Sequence, residues 1–136
     1  MKSFLYHIDI RVSNFRRSFP FYRALFRRLG WNEIDSGKDY CGYSDGRSGI
    51  WVIEAESKYR RPPFHRKRTG LNHIAFRVPG RAAVDEFHRK FLRPKRIKIL
   101  YGGPKEYPEY YTGYYAVFFE DPDRIKLEVA HIPGRH

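Results

Sequence analysis

The chain has 136 residues, of which 41% are hydrophobic and 18% aromatic, a composition that is typical of one folded domain and excludes a disordered chain. Its 27 lysines and arginines outnumber 15 acidic residues, and the net charge of +12 favours anionic partners. No apolar run approaches the ~18 residues of a membrane span, and the lone Cys41 excludes an intrachain disulfide framework, so we expect a cytoplasmic protein with no membrane partner.

The first elements predicted are a strand and a helix. Apolar and polar residues alternate over about residues 4–12, which predicts a strand with His7 on its polar face. A stripe of aromatic residues and leucines at three- to four-residue spacing then predicts a helix. Ser13 or Asn14 is expected to cap this helix, which ends near Arg28.

Three short strands, near residues 31–35, 39–44 and 49–56, are expected to complete a first module over residues 1–56. We interpret the basic, proline-containing residues 57–69 as a linker within a single domain of residues 1–136. Its charge would also suit nucleic acid. No helix-turn-helix, zinc-finger or RRM-type signature accompanies it, however, so we do not expect a nucleic-acid partner.

A second module, residues 70–136, repeats the same order of elements. We expect a strand, a helix and three strands, near residues 71–78, 81–92, 96–101, 114–120 and 124–131. A tyrosine-rich connection precedes the middle one of the three strands. Its tyrosines either wall the pocket or pack in the core, and we favour core packing; they are Tyr110, Tyr111, Tyr114 and Tyr115.

The two modules share one phrase of sequence. FLYHIDIRV begins at Phe4 and GLNHIAFRV at Gly70, and each phrase carries a histidine fourth and an arginine eighth. The same separation of 66 residues relates His7 to His73 and Arg11 to Arg77. The chain is therefore predicted to be a duplication, with an α+β fold of two tandem βαβββ modules whose curved sheets surround a cleft.

Each module also ends in a strand that carries a glutamate, Glu54 in the first and Glu128 in the second. Two imidazoles and two carboxylates suit a divalent first-row metal ion. We therefore predict one metal site formed by His7, Glu54, His73 and Glu128. A bound ion would act as a Lewis acid, and Glu54 or Glu128 would act as general base.

These features resemble the vicinal oxygen chelate superfamily, which includes glyoxalases, bleomycin-resistance proteins and extradiol dioxygenases. The resemblance rests on the two strand histidines and on the stretches FYRALFRRLG and FFEDPDRIKLEVA. The most similar pattern within the superfamily is that of glyoxalase I. This resemblance implies that one Ni, Co, Zn, Mn or Fe ion is bound by His7, Glu54, His73 and Glu128. It also implies that Arg11 binds glutathione.

The sequence departs from that pattern at two places. Arg124 stands where the family turn, Asp-Pro-Asp-Gly, has glycine, and a left-handed residue there would cost about 1 kcal/mol or more. Ser57 and Lys58 replace an asparagine that contacts glutathione in the family. The second departure weakens glutathione as the thiol without weakening the metal site.

Arg11 and Arg77 each follow a predicted ligand by four residues and should lie on the same strand face as that ligand. Two guanidinium groups beside a metal ion would bind a carboxylate or phosphonate. We therefore predict these arginines as substrate-binding residues, with solvated strand-end positions as the alternative.

The leading functional prediction is a glyoxalase-type lyase or isomerase that acts on a small, vicinal-oxygen or anionic substrate, with a thiol as possible co-substrate. One alternative is a fosfomycin-type thiol transferase, in which two histidines and one glutamate suffice and Glu54 is spare. A second is an Fe(II) extradiol dioxygenase. A third is a non-catalytic ligand-binding protein of the bleomycin-resistance type. We expect a homodimer, because open sheets have edges to cover.

Overall fold

The computed structural model describes residues 1–134, which divide into two compact units. The first unit, Met1–Phe64, contains one helix and four strands: β1 (His7–Val12), α1 (Phe15–Arg28), β2 (Asn32–Ser36), β3 (Tyr40–Ser44) and β4 (Gly49–Glu54). A short 3₁₀ helix, Ser57–Tyr59, follows β4.

The second unit begins at His65 and repeats this order: β5 (His73–Arg77), α2 (Arg81–Phe87), β6 (Ile99–Glu106), β7 (Tyr115–Glu120) and β8 (Lys126–His131). A π-helical turn, His88–Leu92, extends α2, so the helix predicted over residues 81–92 is present but changes its winding. The unit boundary falls within residues 57–69.

Both sheets have the same mixed topology. The strand orders are β1-β4-β3-β2 and β5-β8-β7-β6. The first strand of each unit pairs in parallel with the last strand, and the other pairs are antiparallel. The predicted α+β fold of two βαβββ modules is confirmed, and both sheets are open.

Helix α1 forms as its sequence predicts. The Asn14 side-chain oxygen accepts a hydrogen bond of 3.1 Å from the Arg17 amide and so satisfies one free donor of the first turn. The aromatic stripe buries Tyr22 and Phe26, which are at most 1% exposed. Burial of such side chains contributes roughly 2–3 kcal/mol each and fixes the helix against the sheet.

Each sheet has one apolar face, covered by the helix of its own unit. In the first unit, Val12 and Val52 on the neighbouring strands β1 and β4 are at most 1% exposed. In the second unit, Phe87 of α2 packs against Phe119 of β7, with ring centres 5.4 Å apart. Since strand side chains alternate, the residues between these apolar positions project from the opposite face of each sheet.

The turn before β8 contains the predicted left-handed residue. Arg124 has a φ of +66°, and the turn is held by Asp121, whose carboxylate accepts from the amides of Asp123 and Ile125 at 2.8 and 2.7 Å. The turn therefore holds an arginine in the left-handed conformation that glycine adopts most readily. Among residues 1–134, no helix is long and apolar enough to cross a membrane.

Candidate metal centre

His73 and Glu128 lie side by side on the face of the second sheet that is opposite α2. In the parallel pair of β5 and β8, Ala75 is the partner of Glu128, so the glutamate lies two positions along from the partner of His73 and on the same face. His73 Nε2 lies 3.1 Å from Glu128 Oε2. The glutamate side chain is 1% exposed and the histidine side chain 34% exposed, so the accessible side of this pair is the imidazole.

The neighbour of His73 sets the tautomer of its imidazole. The Asn72 side-chain nitrogen donates to the Arg66 carbonyl at 3.1 Å, which orients the Asn72 side-chain oxygen as an acceptor. That oxygen lies 2.7 Å from His73 Nδ1, so Nδ1 carries the proton and donates it. In the neutral imidazole, Nε2 therefore presents a lone pair, as in histidines that bind metal ions.

Tyr114 forms a hydrogen bond with the second carboxylate oxygen of Glu128. Its hydroxyl donates a short hydrogen bond to Glu128 Oε1, while Oε2 faces His73. Burial raises the pKa of Tyr114 well above its ordinary value, and the hydrogen bond to Glu128 raises it further, so the hydroxyl stays a proton donor at neutral pH. The tyrosine thus holds the carboxylate in one orientation.

His73 Nε2 and Glu128 Oε2 lie close enough to share a proton or to hold a metal ion between them. Two acceptors 3.1 Å apart repel each other unless a proton or a metal ion lies between them. With metal–ligand bonds of about 2.1 Å, donors at this separation subtend roughly 95° at the ion, close to adjacent corners of an octahedron. The donor pair therefore fits a divalent first-row metal ion.

The first unit has a histidine but no glutamate at the corresponding positions. His7 and His73 both lie at the first position of their strands. His73 pairs with Lys126, and the residue two positions further along β8 is Glu128. His7 pairs with Gly49, and the residue two positions further along β4 is Trp51. His7 is 48% exposed and lines a cavity of about 370 Å³ together with Trp51. The duplicated site is thus asymmetric, with an indole in place of a carboxylate.

Glu54 lies on the wrong face of its sheet to join His7. Its partner in β1 is Val12, so it shares the helix-covered face, whereas His7 projects from the other face. The two residues are also at opposite ends of the paired strands, roughly 16 Å apart at about 3.3 Å per residue. Glu54 and His7 of one chain therefore lie on opposite faces of the sheet and at opposite ends of the paired strands, and metal binding by Glu54 remains a prediction.

Glu54 instead contacts the start of helix α1. Its Oε1 accepts a hydrogen bond of 3.1 Å from the Phe15 amide, and its Oε2 lies 3.5 Å from the Arg60 guanidinium. A carboxylate at the positive end of a helix dipole stabilises the helix. The general-base role predicted for Glu54 has no support in this arrangement, because the carboxylate is engaged with backbone and arginine on the core side.

Arg11 and Arg77 contact backbone carbonyl groups at the ends of their strands. Arg77 donates to the carbonyls of Ile132 and Gly134 at 2.8 and 2.6 Å, and Arg11 donates to the carbonyl of Glu54 at 3.4 Å. These contacts hold the segments that leave β8 and β4. Substrate binding by either arginine remains a prediction.

Across residues 1–134, no group of three or more His, Cys, Asp or Glu side chains lies close enough to hold a metal ion. The pair of His73 and Glu128 is therefore the part of the predicted ligand set that the structure assembles. The sequence indicated both members of this pair. It did not indicate Asn72 or Tyr114, because their roles depend on a side-chain orientation and on a long loop that returns to β8.

Comparison with known proteins identifies one superfamily. The model of the Glyoxalase/Bleomycin resistance protein/Dioxygenase superfamily matches residues 5–129. A candidate glyoxalase of known structure from Bacillus halodurans is 36% identical, with a TM-score of 0.82 over 94% of this chain and 95% of that one.

Two proteins with named activities share the fold at lower identity. Lactoylglutathione lyase from Agrobacterium tumefaciens is 18% identical, with a TM-score of 0.68 over 96% of this chain and 94% of that one. The fosfomycin resistance protein FosX from Listeria monocytogenes is 20% identical, with a TM-score of 0.69 over 97% and 95%. At these identities the likeness concerns the fold alone.

Proposed function

Because the chain belongs to the Glyoxalase/Bleomycin resistance protein/Dioxygenase superfamily, we propose that it is a metal-dependent enzyme that acts on a small substrate with two adjacent oxygens. The observation that carries this proposal is the pair of acceptors 3.1 Å apart, His73 Nε2 and the oxygen of the buried Glu128. A divalent ion bound there would supply Lewis acidity, which polarises a substrate oxygen.

We propose His73 and Glu128 as ligands, with His7 as a third ligand because it is the repeat equivalent of His73. Glu54 is not part of this set. Two histidines and one carboxylate leave several positions of a six-coordinate ion for substrate and water. The set then matches the three-ligand alternative rather than the four-ligand pattern of glyoxalase I.

The reaction class that this ligand set supports best is addition or transfer to an activated anionic substrate, as in fosfomycin-type thiol transferases. A glyoxalase-type lyase needs a carboxylate that leaves the metal ion and moves a proton between carbons. Glu128 is poorly suited to that movement, because Tyr114 holds one oxygen and the side chain is buried. In the first unit, Trp51 supplies no carboxylate in its place.

The lyase or isomerase remains a second candidate, and the Bacillus halodurans relative favours it. In that case Glu128 must both bind the metal ion and accept the proton. Ring cleavage with Fe(II) uses the same three ligand types, so the identity of the metal ion separates it from the other two reactions.

The first experiment is elemental analysis of protein purified without chelator and without a nickel affinity step. We expect about one divalent ion per chain, with loss of the ion in His73→Ala and Glu128→Gln. Glu54→Gln is the matched control, since it removes the same charge from the equivalent strand and should keep the ion. A parent protein that takes up no ion, even after reconstitution with Mn, Fe, Ni, Co and Zn, would refute the metal-dependent reading and favour ligand binding without catalysis.

A panel of three assays then assigns the reaction. The metal-loaded protein is given fosfomycin with a thiol, the hemithioacetal of glutathione with an α-ketoaldehyde, and a catechol with oxygen. Turnover of the first alone supports the transfer reaction. Turnover of the second with full activity in Glu54→Gln supports a lyase that uses Glu128 as its only carboxylate.

We also propose that the protein is a cytoplasmic homodimer. The edge strand β2 is exposed at every residue from Asn32 to Ser36, and an unprotected edge favours association with a second copy. Light scattering during size-exclusion chromatography measures the mass, and a monomer at micromolar concentration would contradict the dimer.

A further inference from the structure

Tyr101 has a strained backbone and a half-exposed side chain beside the candidate metal centre. The pairing of β6 with β7 breaks between Leu100 and Lys105. Within this break, Tyr101 has a φ of +58° and is followed by two glycines that also have positive φ. A tyrosine is disfavoured in this left-handed conformation, which persists where it directs a side chain toward a particular place.

The place to which Tyr101 is directed is the ammonium group of Lys126. Lys126 Nζ donates to the Tyr101 hydroxyl oxygen at 3.0 Å and lies 4.9 Å from the centre of the Tyr101 ring. The same ammonium lies 4.7 Å from the ring centre of Phe118. Tyrosine hydroxyl and lysine ammonium therefore form one donor pair on an aromatic base.

This donor pair adjoins the metal centre on the same face of the second sheet. Lys126 is the register partner of His73 and lies two residues before Glu128. The Phe118 ring connects the two groups, with its centre 5.4 Å from that of Tyr101 and 5.9 Å from that of His73. A molecule bound at His73 thus has Tyr101 and Lys126 within the reach of a second functional group.

The charge around the pair favours an anion. Among residues 1–134, no carboxylate forms an ion pair with Lys126, and its one hydrogen bond to Tyr101 leaves two ammonium donors. Both carboxylates on this face are already engaged: Glu120 is 6% exposed and pairs with Arg66 at 2.6 Å, and Glu128 is 1% exposed and contacts Tyr114 and His73. Lys126 lowers the pKa of Tyr101, chiefly through its hydrogen bond, and Arg66 adds to this effect, so the tyrosine lies in a positive local field.

We propose that Tyr101 and Lys126 bind an oxyanion group of the substrate, a carboxylate or a phosphorus oxyanion, next to the metal centre. The hydroxyl and the ammonium donate to oxygens of the anion, and Phe118 excludes water from one side. That the bound anion is part of a substrate rests on the proposed function. It also moves the anion site away from Arg11 and Arg77, whose guanidinium groups bind backbone carbonyls.

The test uses inorganic phosphate and acetate as probes, titrated separately into chelator-treated protein at about 0.15 M chloride and followed by calorimetry. We expect saturable binding of at least one probe. Lys126→Met should weaken it by about tenfold or more, and Tyr101→Phe by several-fold, because charge-assisted hydrogen bonds are lost. The probe that binds more tightly distinguishes a carboxylate from a phosphorus oxyanion.

Lys105→Met is the matched control. Lys105 also lies over a tyrosine ring of the same unit, at 5.3 Å from the centre of Tyr107, and its removal lowers the net charge equally. Binding should be unchanged in this variant. Equal weakening in Lys105→Met and Lys126→Met would overturn the proposal, since it would indicate attraction by net charge alone. Absence of saturable binding of both probes to the parent protein would also overturn it.

Metal uptake separates this inference from the proposed function. Competition with a fluorescent chelator should give the same metal affinity for Tyr101→Phe, Lys126→Met and the parent. If the parent binds the anion through this pair but takes up no metal ion, the proposed function fails and the anion site stands. If the parent takes up a metal ion but anion binding does not depend on Tyr101 and Lys126, the anion site fails and the proposed function stands.

Discussion

Replacing Glu54 with alanine should destabilise the fold and leave metal binding unchanged. Glu54 accepts a hydrogen bond of 3.1 Å from the Phe15 amide in the first turn of α1. A hydrogen bond to a charged acceptor contributes about 1.5–3 kcal/mol, and the lower end applies because the Glu54 side chain is about a third exposed. The Arg60 pair, at 3.5 Å and similarly exposed, adds at most about 0.5 kcal/mol after solvent screening.

The expected loss in the free energy of unfolding is therefore about 2 kcal/mol. With a urea dependence of roughly 1.5–2 kcal/mol per molar, the unfolding midpoint should fall by about 1 M. Urea titration followed by circular dichroism measures this shift. Glu56→Ala is the control, because Glu56 is an exposed carboxylate two residues along, and its midpoint should move by less than about 0.3 M.

The same Glu54→Ala protein is then tested for metal by chelator competition, beside Glu128→Gln. We expect parent-like affinity in the first and loss of binding in the second. The reasoning would be refuted by the opposite pattern, in which Glu54→Ala unfolds at the parent midpoint and fails to bind metal. That result would mean that Glu54 is a ligand and that its contact with Phe15 is incidental.

Three further predictions follow from single contacts. Tyr114→Phe should weaken metal binding by about 10- to 100-fold in chelator competition while the fold is retained, because the hydrogen bond that orients Glu128 is lost; unchanged affinity would count against this role. Arg124→Gly should raise the free energy of unfolding by about 1 kcal/mol in urea titration, since only a β-carbon makes its φ of +66° unfavourable, and a lower stability would contradict this. Cys41 should resist a disulfide reagent at pH 8 until the protein unfolds, because burial raises the pKa of its thiol to about 12 and leaves little thiolate. Fast reaction of the native protein would contradict this, since it would show that the thiol is accessible.

The duplicated module and most element positions could be predicted from the sequence. Alternation in β1, the aromatic stripe and Asn14 cap of α1, and the 66-residue separation of His7 and His73 depend on local backbone geometry that the chain itself dictates. The left-handed conformation of Arg124 was indicated only by the resemblance, which places glycine at that position of the turn.

The facing of Glu54 could not be obtained in this way. Its strand, IWVIE, is apolar on both sides, so either phase offers apolar residues to the helix, and the phase in which Ile53 and Ala55 face the helix would put Glu54 on the polar face. A strand phase error of one residue exchanges the two faces completely. The pairing of Val12 with Glu54 resolved the phase and placed Glu54 on the helix-covered face of the sheet.

The sequence by itself thus determined the fold class, the repeat and the residue types proposed as ligands, because periodicity and residue chemistry are properties of the chain. Tertiary structure decided which of those residues meet. His73 and Glu128 are 55 residues apart in the chain, and Tyr114 reaches Glu128 from a separate loop. Strand register and loop closure bring them within hydrogen-bond distance, and these depend on packing between distant segments, which no local pattern encodes.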